Sequence, residues 1–283
     1  MNKISLRPVL DNPALVVAIG KIKILCIADL HLGLELVYAD RGVNLQPQTD
    51  IIIEKIISII KREKISLLFI LGDLKHNIPL NTVIEAIHIP EFLSTVNQLV
   101  DVTIIPGNHD TGLRKISPKN IKIARPSGLI IEEGGFSIGF IHGHSKPDAD
   151  ILKTDALISA HTHPAIKLVD RLYKTFIEPV WVKNELIISS LKTLYGEDGL
   201  SYRESNPKLI IMPAFNPLIT GSPINTFRDK PFLGPIQKDP FIKVNESEIY
   251  LLDGTYLGRL RELPKIDQIY SSGKTQMKHV SNF

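Results

Sequence analysis

The chain has 283 residues, 43% of them hydrophobic, and 33 basic against 30 acidic side chains give it a formal charge of +3. That length and apolar content exclude a disordered chain and suit one domain with a sizeable core, while the small basic excess fits a polyanionic partner without establishing one. A single cysteine, Cys26, excludes an intrachain disulfide, and no apolar run is long enough for a membrane-spanning helix, so the sequence reads as soluble and cytoplasmic.

The opening "MNKISLRPVLDNP" lacks the apolar stretch of a signal peptide. "ALVVAIG" and "IKILCIAD" read as strands of a hairpin turning at Gly20, with Cys26 in a buried strand. "TDIIIEKIISIIKREK" has apolar residues at helical spacing and starts at Thr49 or Asp50 as N-cap. "ISLLFILGD" is a short buried strand, and Pro90 is expected to open the helix "PEFLSTVNQLV". "DVTIIPGNHD" is strand then loop, "LIIEEGGFSIGFIHGH" a hairpin across Gly134 and Gly135, and "DALISAHTHP" strand then loop. Beyond residue 165 the helical period fades into strands such as "AIKLVD", "KTFIEPVWVK" and "PKLIIMPAF", with a hairpin across Asp253 and Gly254. The proline-bearing stretch 222–243 is expected as a long surface loop. The expected division is one domain over 1–263 and a polar, mobile tail over 264–283.

Apolar strands alternating with helices imply an α/β architecture with strands buried on both faces. Five of the strand ends carry the same chemistry. "CIADLHLG" delivers Asp29 and His31, and "FILGDLKH" delivers Asp73 and His76. "IIPGNHD" delivers Asn108, His109 and Asp110, "GFIHGHS" His142 and His144, and "ISAHTHP" His161 and His163. Seven of nine histidines lie in these segments, leaving only His88 and His279 outside. Ligands of open α/β sheets gather at the carboxyl ends of strands. Buried imidazoles and carboxylates cost several kcal/mol each unless paired or coordinated, so the cluster implies metal. A nitrogen and oxygen set without thiolate suits manganese, iron, zinc or nickel, and there are too many candidates for one ion. Two ions sharing a bridging carboxylate is the economical solution. Taken singly, each segment has a plainer explanation as a turn, a helix cap or an exposed strand end; the five in order do not.

In this order, Asp29-x-His31, Gly72-Asp73, Gly107-Asn108-His109-Asp110, His142 and His161-x-His163 resemble the signature of the calcineurin-like metallophosphoesterases, over residues 22 to 165. The resemblance implies an α/β fold of four layers, an α-β-β-α sandwich of two mixed sheets flanked by helices, with a dinuclear metal site at the strand ends. It implies one ion on Asp29, His31, Asp73 and His163 and a second on Asp73, Asn108, His142 and His161. It further implies that His109 faces the scissile phosphate without binding metal and that Asp110 orients it through the other ring nitrogen. "ADLHLG", "GDLKH" and "GNHD" look most like the SbcD-type repair nucleases. The wider pattern, with Glu35, Arg41-Gly42, "HGH", "HTHP" and "IIMPAFNP", is similar to the SbcD-related archaeal phosphoesterases and their ligase-associated bacterial relatives. The long capping and partner-binding regions of the full repair nuclease have no room here, which puts a double-strand-break role in doubt.

The resemblance implies a manganese-dependent phosphodiesterase or nuclease on DNA or RNA, working through a hydroxide activated by two metals, with a helicase or ligase as a family-level partner. The alternative is a phosphodiesterase or phosphatase of a small phosphorylated molecule such as a cyclic nucleotide. A binding module with a dead site is disfavoured by the complete ligand set. His144 is read as supporting rather than ligating, and His76 as one turn past Asp73 and able to contact substrate. Glu35 and Arg41 line a groove or form an ordinary helix-surface pair, and Trp181 and Tyr173 stack on bases or, for a lone strand Trp, sit in the core.

Overall fold

The computed structural model describes residues 4–196, 206–226 and 231–266. Most of the expected tail, with His279, and part of the 222–243 stretch lie outside the described residues. The first sheet runs β1 (Ser5–Pro8), β2 (Leu15–Ile19), β3 (Ile22–Ile27), β4 (Leu67–Ile70), β5 (Asp101–Ile104) and β6 (Lys122–Ile123), ordered as in the chain. β3 to β6 are parallel neighbours, while β1 and β2 fold back antiparallel, the β2–β3 hairpin turning at Gly20 with φ 56°. The second sheet contains β7 (Leu129–Glu133), β8 (Phe136–Phe140), β9 (Ala156–Ser159), β10 (Pro164–Val169), β11 (Thr175–Glu185), β12 (Lys208–Ile211) and β13 (Ser222–Pro223), in the order β13-β10-β11-β12-β9-β8-β7. β14 (Glu248–Leu251) pairs with β11 and carries β15 (Tyr256–Arg259) through the expected hairpin.

The sheets pack face to face. Leu15, Val17, Ile24, Cys26, Phe69 and Ile105 of the first meet Ile138, Phe140, Ile158, Trp181 and Met212 of the second. Strands buried on both faces explain the unbroken apolar runs. Trp181 is 4% exposed in this core, whereas Tyr173 stands out in the β10–β11 turn. The outer face of the first sheet is covered by α2 (Gln48–Glu63) and α3 (Val83–Asn97). α2 turns Ile52, Ile56, Ile59 and Ile60 inward, the i, i+4, i+7, i+8 stripe that makes it amphipathic. The outer face of the second sheet is covered by α5 (Ile188–Tyr195), short 3-10 turns and the irregular segment 231–244. These are the four layers.

Several boundaries differ from expectation. α2 is preceded by Pro47 and starts ahead of Thr49 and Asp50, which sit in its first turn; no side chain caps this end. α3 begins at Val83 and contains Pro90 rather than starting there. Thr82 and Glu85 form a reciprocal capping box, satisfying two backbone N–H groups, and this earlier start prevails over the proline. α5 went unread because its eight residues fall in a region without helical period. The described residues of the stretch 222–243 do not form a surface loop: Phe232, Ile236, Gln237 and Ile242 are buried, packing irregular chain against the second sheet. At the head of the expected tail, Pro264 and Ile266 are tied to Asn225.

Candidate metal centre

β3, β4 and β5 of the first sheet, and β8 and β9 of the second, end at one edge of the sandwich. Beyond the last ladder pair the β3 and β4 chains stay joined. Asp29 N donates to Gly72 O (3.0 Å) and His31 N to Asp73 O (2.9 Å). β8 and β9 stay joined likewise, Ala160 N donating to His142 O (2.8 Å). The sheets are clasped to each other by His142, whose Nδ1 bonds Leu71 O (2.8 Å). They are clasped again by the chain after β12, where Phe215 N donates to Ala28 O and the buried Asn216 amide to Leu30 O. This gives a physical role to "IIMPAFNP", whose Asn216 no sequence pattern singled out.

The convergence is tight. Asp29, His31, Asp73 and His163 each offer a ligand atom within 4.8 Å of the others, and so do Asp73, His142 and His161. Asp73 belongs to both groups. His142 Nε2 is 3.3 Å and His31 Nε2 3.6 Å from Asp73 Oδ2, and His163 Nε2 is 3.1 Å from Asp29 Oδ1. Asp29, His31, Asp73 and His142 are buried; His76, His109, His144, His161 and His163 are half-buried, leaving one side open. Two glycines make the closeness possible. A β-carbon at Gly72 would strike the His142 ring, and one at Gly107 the Asp73 carboxylate. Of the eight described non-glycine residues at positive φ, five are Asp29, His31, Asp73, His161 and His163. Such left-handed backbone costs about 1–3 kcal/mol per residue and persists where the surroundings enforce it.

The electrostatics of the cluster are set by burial and by the mutual approach of carboxylates and imidazoles. Burial would raise both carboxyls, yet His163 and His142 beside Asp29, and His142 beside Asp73, hold both below the ordinary carboxylate range. Burial pushes His31 down to about 3 and His161 to about 4. His142 is burdened by burial too, but the nearby carboxylates of Asp73 and Asp29 carry it up to about 9. Asp29 Oδ1, His31 Nε2, His142 Nε2 and His163 Nε2 are buried without a hydrogen bond of acceptable geometry. Four such orphans facing one another are costly unless a cation satisfies them.

The sequence profile of the calcineurin-like phosphoesterases matches residues 22–211. The chain belongs to that family. It is therefore a metal-dependent phosphoester hydrolase, and the orphaned nitrogen and oxygen atoms fit the pair of divalent ions that this family holds. No protein of curated function matches the sequence. Among solved structures, the Pseudomonas putida nuclease MPE is similar at 16% identity, over 88% of this chain and 96% of that one, with a TM-score of 0.47. Yfce, a phosphoesterase from E. coli, is similar at 16% identity over 83% and 97% of the two chains, with a TM-score of 0.35. An archaeal phosphodiesterase is similar at 17% identity over 52% and 78%, with a TM-score of 0.30. No helix among the described residues is long and apolar enough to cross a membrane.

Around the phosphoesterase cluster, the structure departs from expectation at Asp110. Its carboxylate does not reach the His109 ring. Oδ2 accepts from Gly107 N (2.8 Å), and Oδ1 from Leu74 N (3.0 Å) and Lys75 N (3.3 Å), which binds the loop after β5 to the loop after β4. The three buried N–H groups have no other acceptor among the described residues, so the carboxylate serves them. The His109 ring is oriented instead by His76, whose carbonyl accepts from His109 Nδ1, while His109 N donates to Asp73 Oδ1 (2.9 Å). His76 also places Nδ1 3.2 Å from His31 Nδ1. Asn108 is exposed in the same loop. The His144 ring lies 5.2 Å from that of His142 and 6.1 Å from that of His161. Glu35 is half-buried on α1 (Leu34–Ala39), and Arg41 is exposed just past it; the described salt bridges include none between the two. Sequence reasoning missed Glu85, buried at the root of α3. It accepts from His76 N and Asn77 N and so fixes the loop after Asp73. Its signal was the Thr-x-x-Glu spacing at 82–85.

Proposed function

We propose that this phosphoesterase is a manganese-dependent phosphodiesterase of nucleic acid. The observation that carries the reading is the Asp73 carboxylate standing between two groups of ligand atoms, with His31 and His142 nitrogens on it and no hydrogen bonds to satisfy them. Asp29, His31, Asp73 and His163 would hold one ion, and Asp73, Asn108, His142 and His161 the other. When bound, such a pair lowers the pKa of water toward about 7 and draws charge from phosphoryl oxygens. An oxygen and imidazole set without thiolate suits manganese, iron, zinc or nickel and argues against a structural zinc of the finger type; manganese is the ion we assign.

The chain's own groups do the rest. His109 Nδ1 donates to the His76 carbonyl, which leaves Nε2 as the ring nitrogen that, when the ring carries a second proton, would donate to a phosphoryl oxygen or pass that proton to the leaving oxygen. Asp110 holds the loop that carries it, and Gly107 keeps that loop against Asp73. The half-buried side, formed by His76, His109, His161 and His163, is where a diester would enter. The nucleic-acid assignment is supported by the wording of the first three motifs and by the +3 charge.

The test is incubation of the protein with manganese and circular single-stranded DNA, beside Asn108→Ala. We expect cleavage by the native protein, at least about 100-fold less by the variant, and binding that weakens with salt. Hydrolysis of a small diester such as bis-p-nitrophenyl phosphate, with no cleavage of DNA or RNA, would move the assignment to small phosphorylated molecules.

A further inference from the structure

The segment 231–244 carries one side chain that no motif points to and the metal ligands do not include. Gln237 is wholly buried, and every polar atom of its amide is used. Its Nε2 donates to Ser159 Oγ (2.6 Å) and to Ala160 O (3.4 Å), and its Oε1 accepts from Thr162 Oγ1 (2.8 Å). Ser159 Oγ in turn donates to His142 O (3.3 Å), and Thr162 Oγ1 accepts from Leu233 N (3.2 Å). The donors and acceptors agree all round: reversing the amide would set Oε1 against the Ala160 carbonyl.

These partners are not scattered. Thr162 lies between His161 and His163, both at positive φ, and Ser159 and Ala160 lead into them. Gly143, beside His142, lies directly on the amide; a β-carbon there would come within 2.7 Å of Gln237 Nε2. One side chain therefore touches both second-sheet loops that bring ligand atoms to the cluster. Two left-handed histidines flanking Thr162, at about 1–3 kcal/mol each, need something to hold them. We infer that Gln237, through Thr162 and Ser159, is a positioning residue that fixes His142, His161 and His163 for metal binding. The inference rests on the metal-centre reading above. It goes beyond that reading in assigning metal affinity to a residue far along the chain from the ligands it steadies, 75 positions beyond Thr162.

The experiment is a calorimetric titration of the metal-free full chain with Mn2+, without substrate. It compares native protein with Gln237→Met, Thr162→Val and Thr162→Ser, each checked for native circular dichroism. Supporting partners of metal ligands typically contribute 10–100-fold in affinity. We expect Gln237→Met and Thr162→Val to weaken Mn2+ binding by about that factor and Thr162→Ser, which keeps the hydroxyl, to bind as the native protein does. Native affinity and stoichiometry in Gln237→Met and Thr162→Val would overturn the inference. So would an equal loss in Thr162→Ser, because packing and not the hydroxyl would then be responsible. Should Gln237→Met not fold, Thr162→Val decides alone, since it removes the same bond from the other end with a side chain of the same shape. A native chain that takes up no Mn2+ would instead defeat the metal-centre reading itself, a separate result.

Discussion

His161 and His163 stand at φ 73° and 47°, and Asp29, His31 and Asp73 share the same strained quarter of backbone space. The strain is intelligible as a way to turn five side chains back toward one point from strands that run outward. The clustered histidines and aspartates were legible in sequence, and the groups that brace them were not. Histidine, aspartate and glycine in short repeated motifs are unusual residues for a strand end, and their chemistry shows in their identity. Asn216, Gln237 and the carboxylate of Asp110 act through geometry, and a lone amide in irregular chain leaves no pattern. The family resemblance implies that Asp110 orients His109, but three backbone N–H groups have its carboxylate. Asp110→Asn keeps the shape and turns a donor toward one of those N–H groups. We expect a loss of about 1–3 kcal/mol, read as a lowered urea midpoint. An unchanged midpoint would mean that Asp110 does not brace the loops.

Among the elements, strands were read well because continuous apolar runs of four to six residues have one physical use in a doubly covered sheet. β2, β3, β4, β5, β8 and β9 lie within the stretches read as strands, and so do the hairpin turns at Gly20, Gly134 and Asp253. Helix boundaries were less legible. α3 is the instructive case: Pro90 removes one N–H from the middle of the helix, leaving the Ala86 carbonyl without its ordinary partner, yet the helix runs on from Thr82 to Asn97. The capping box and the buried face of Ile89, Phe92, Leu93 and Val96 outweigh that loss. Pro90→Ala is expected to stabilise the protein by about 1–2 kcal/mol, since it restores the bond and loses part of that gain to a more mobile unfolded chain. A lower melting temperature for Pro90→Ala would show that the proline is needed where it stands. The expectation of a surface loop over 222–243 fails for the opposite reason. The prolines and Gly234 there signal irregular chain, but nothing in composition distinguishes irregular chain that is exposed from irregular chain that closes a core.

At the scale of the molecule, the cluster sits where two sheets meet. His142 bonds Leu71 across the gap, and His163 and Asp29 approach each other from opposite sheets. Metal bound there would link the sheets, so ligand binding and global stability are coupled. At free metal near 100 times its dissociation constant, the added stability is about 2.7 kcal/mol. For a domain of this size that is a rise of roughly 5–10 °C in melting temperature on adding manganese to stripped protein, reversed by chelator. No shift with manganese, zinc or nickel would separate the cluster from metal altogether. The central claim is that Asp73 serves two ions at once, and the metal content of the chain tests it most directly. Stripped protein reloaded with manganese and freed of excess should hold two ions per chain, and Asp73→Ala should lose both together. One ion in the native chain, or two retained without Asp73, would contradict the account.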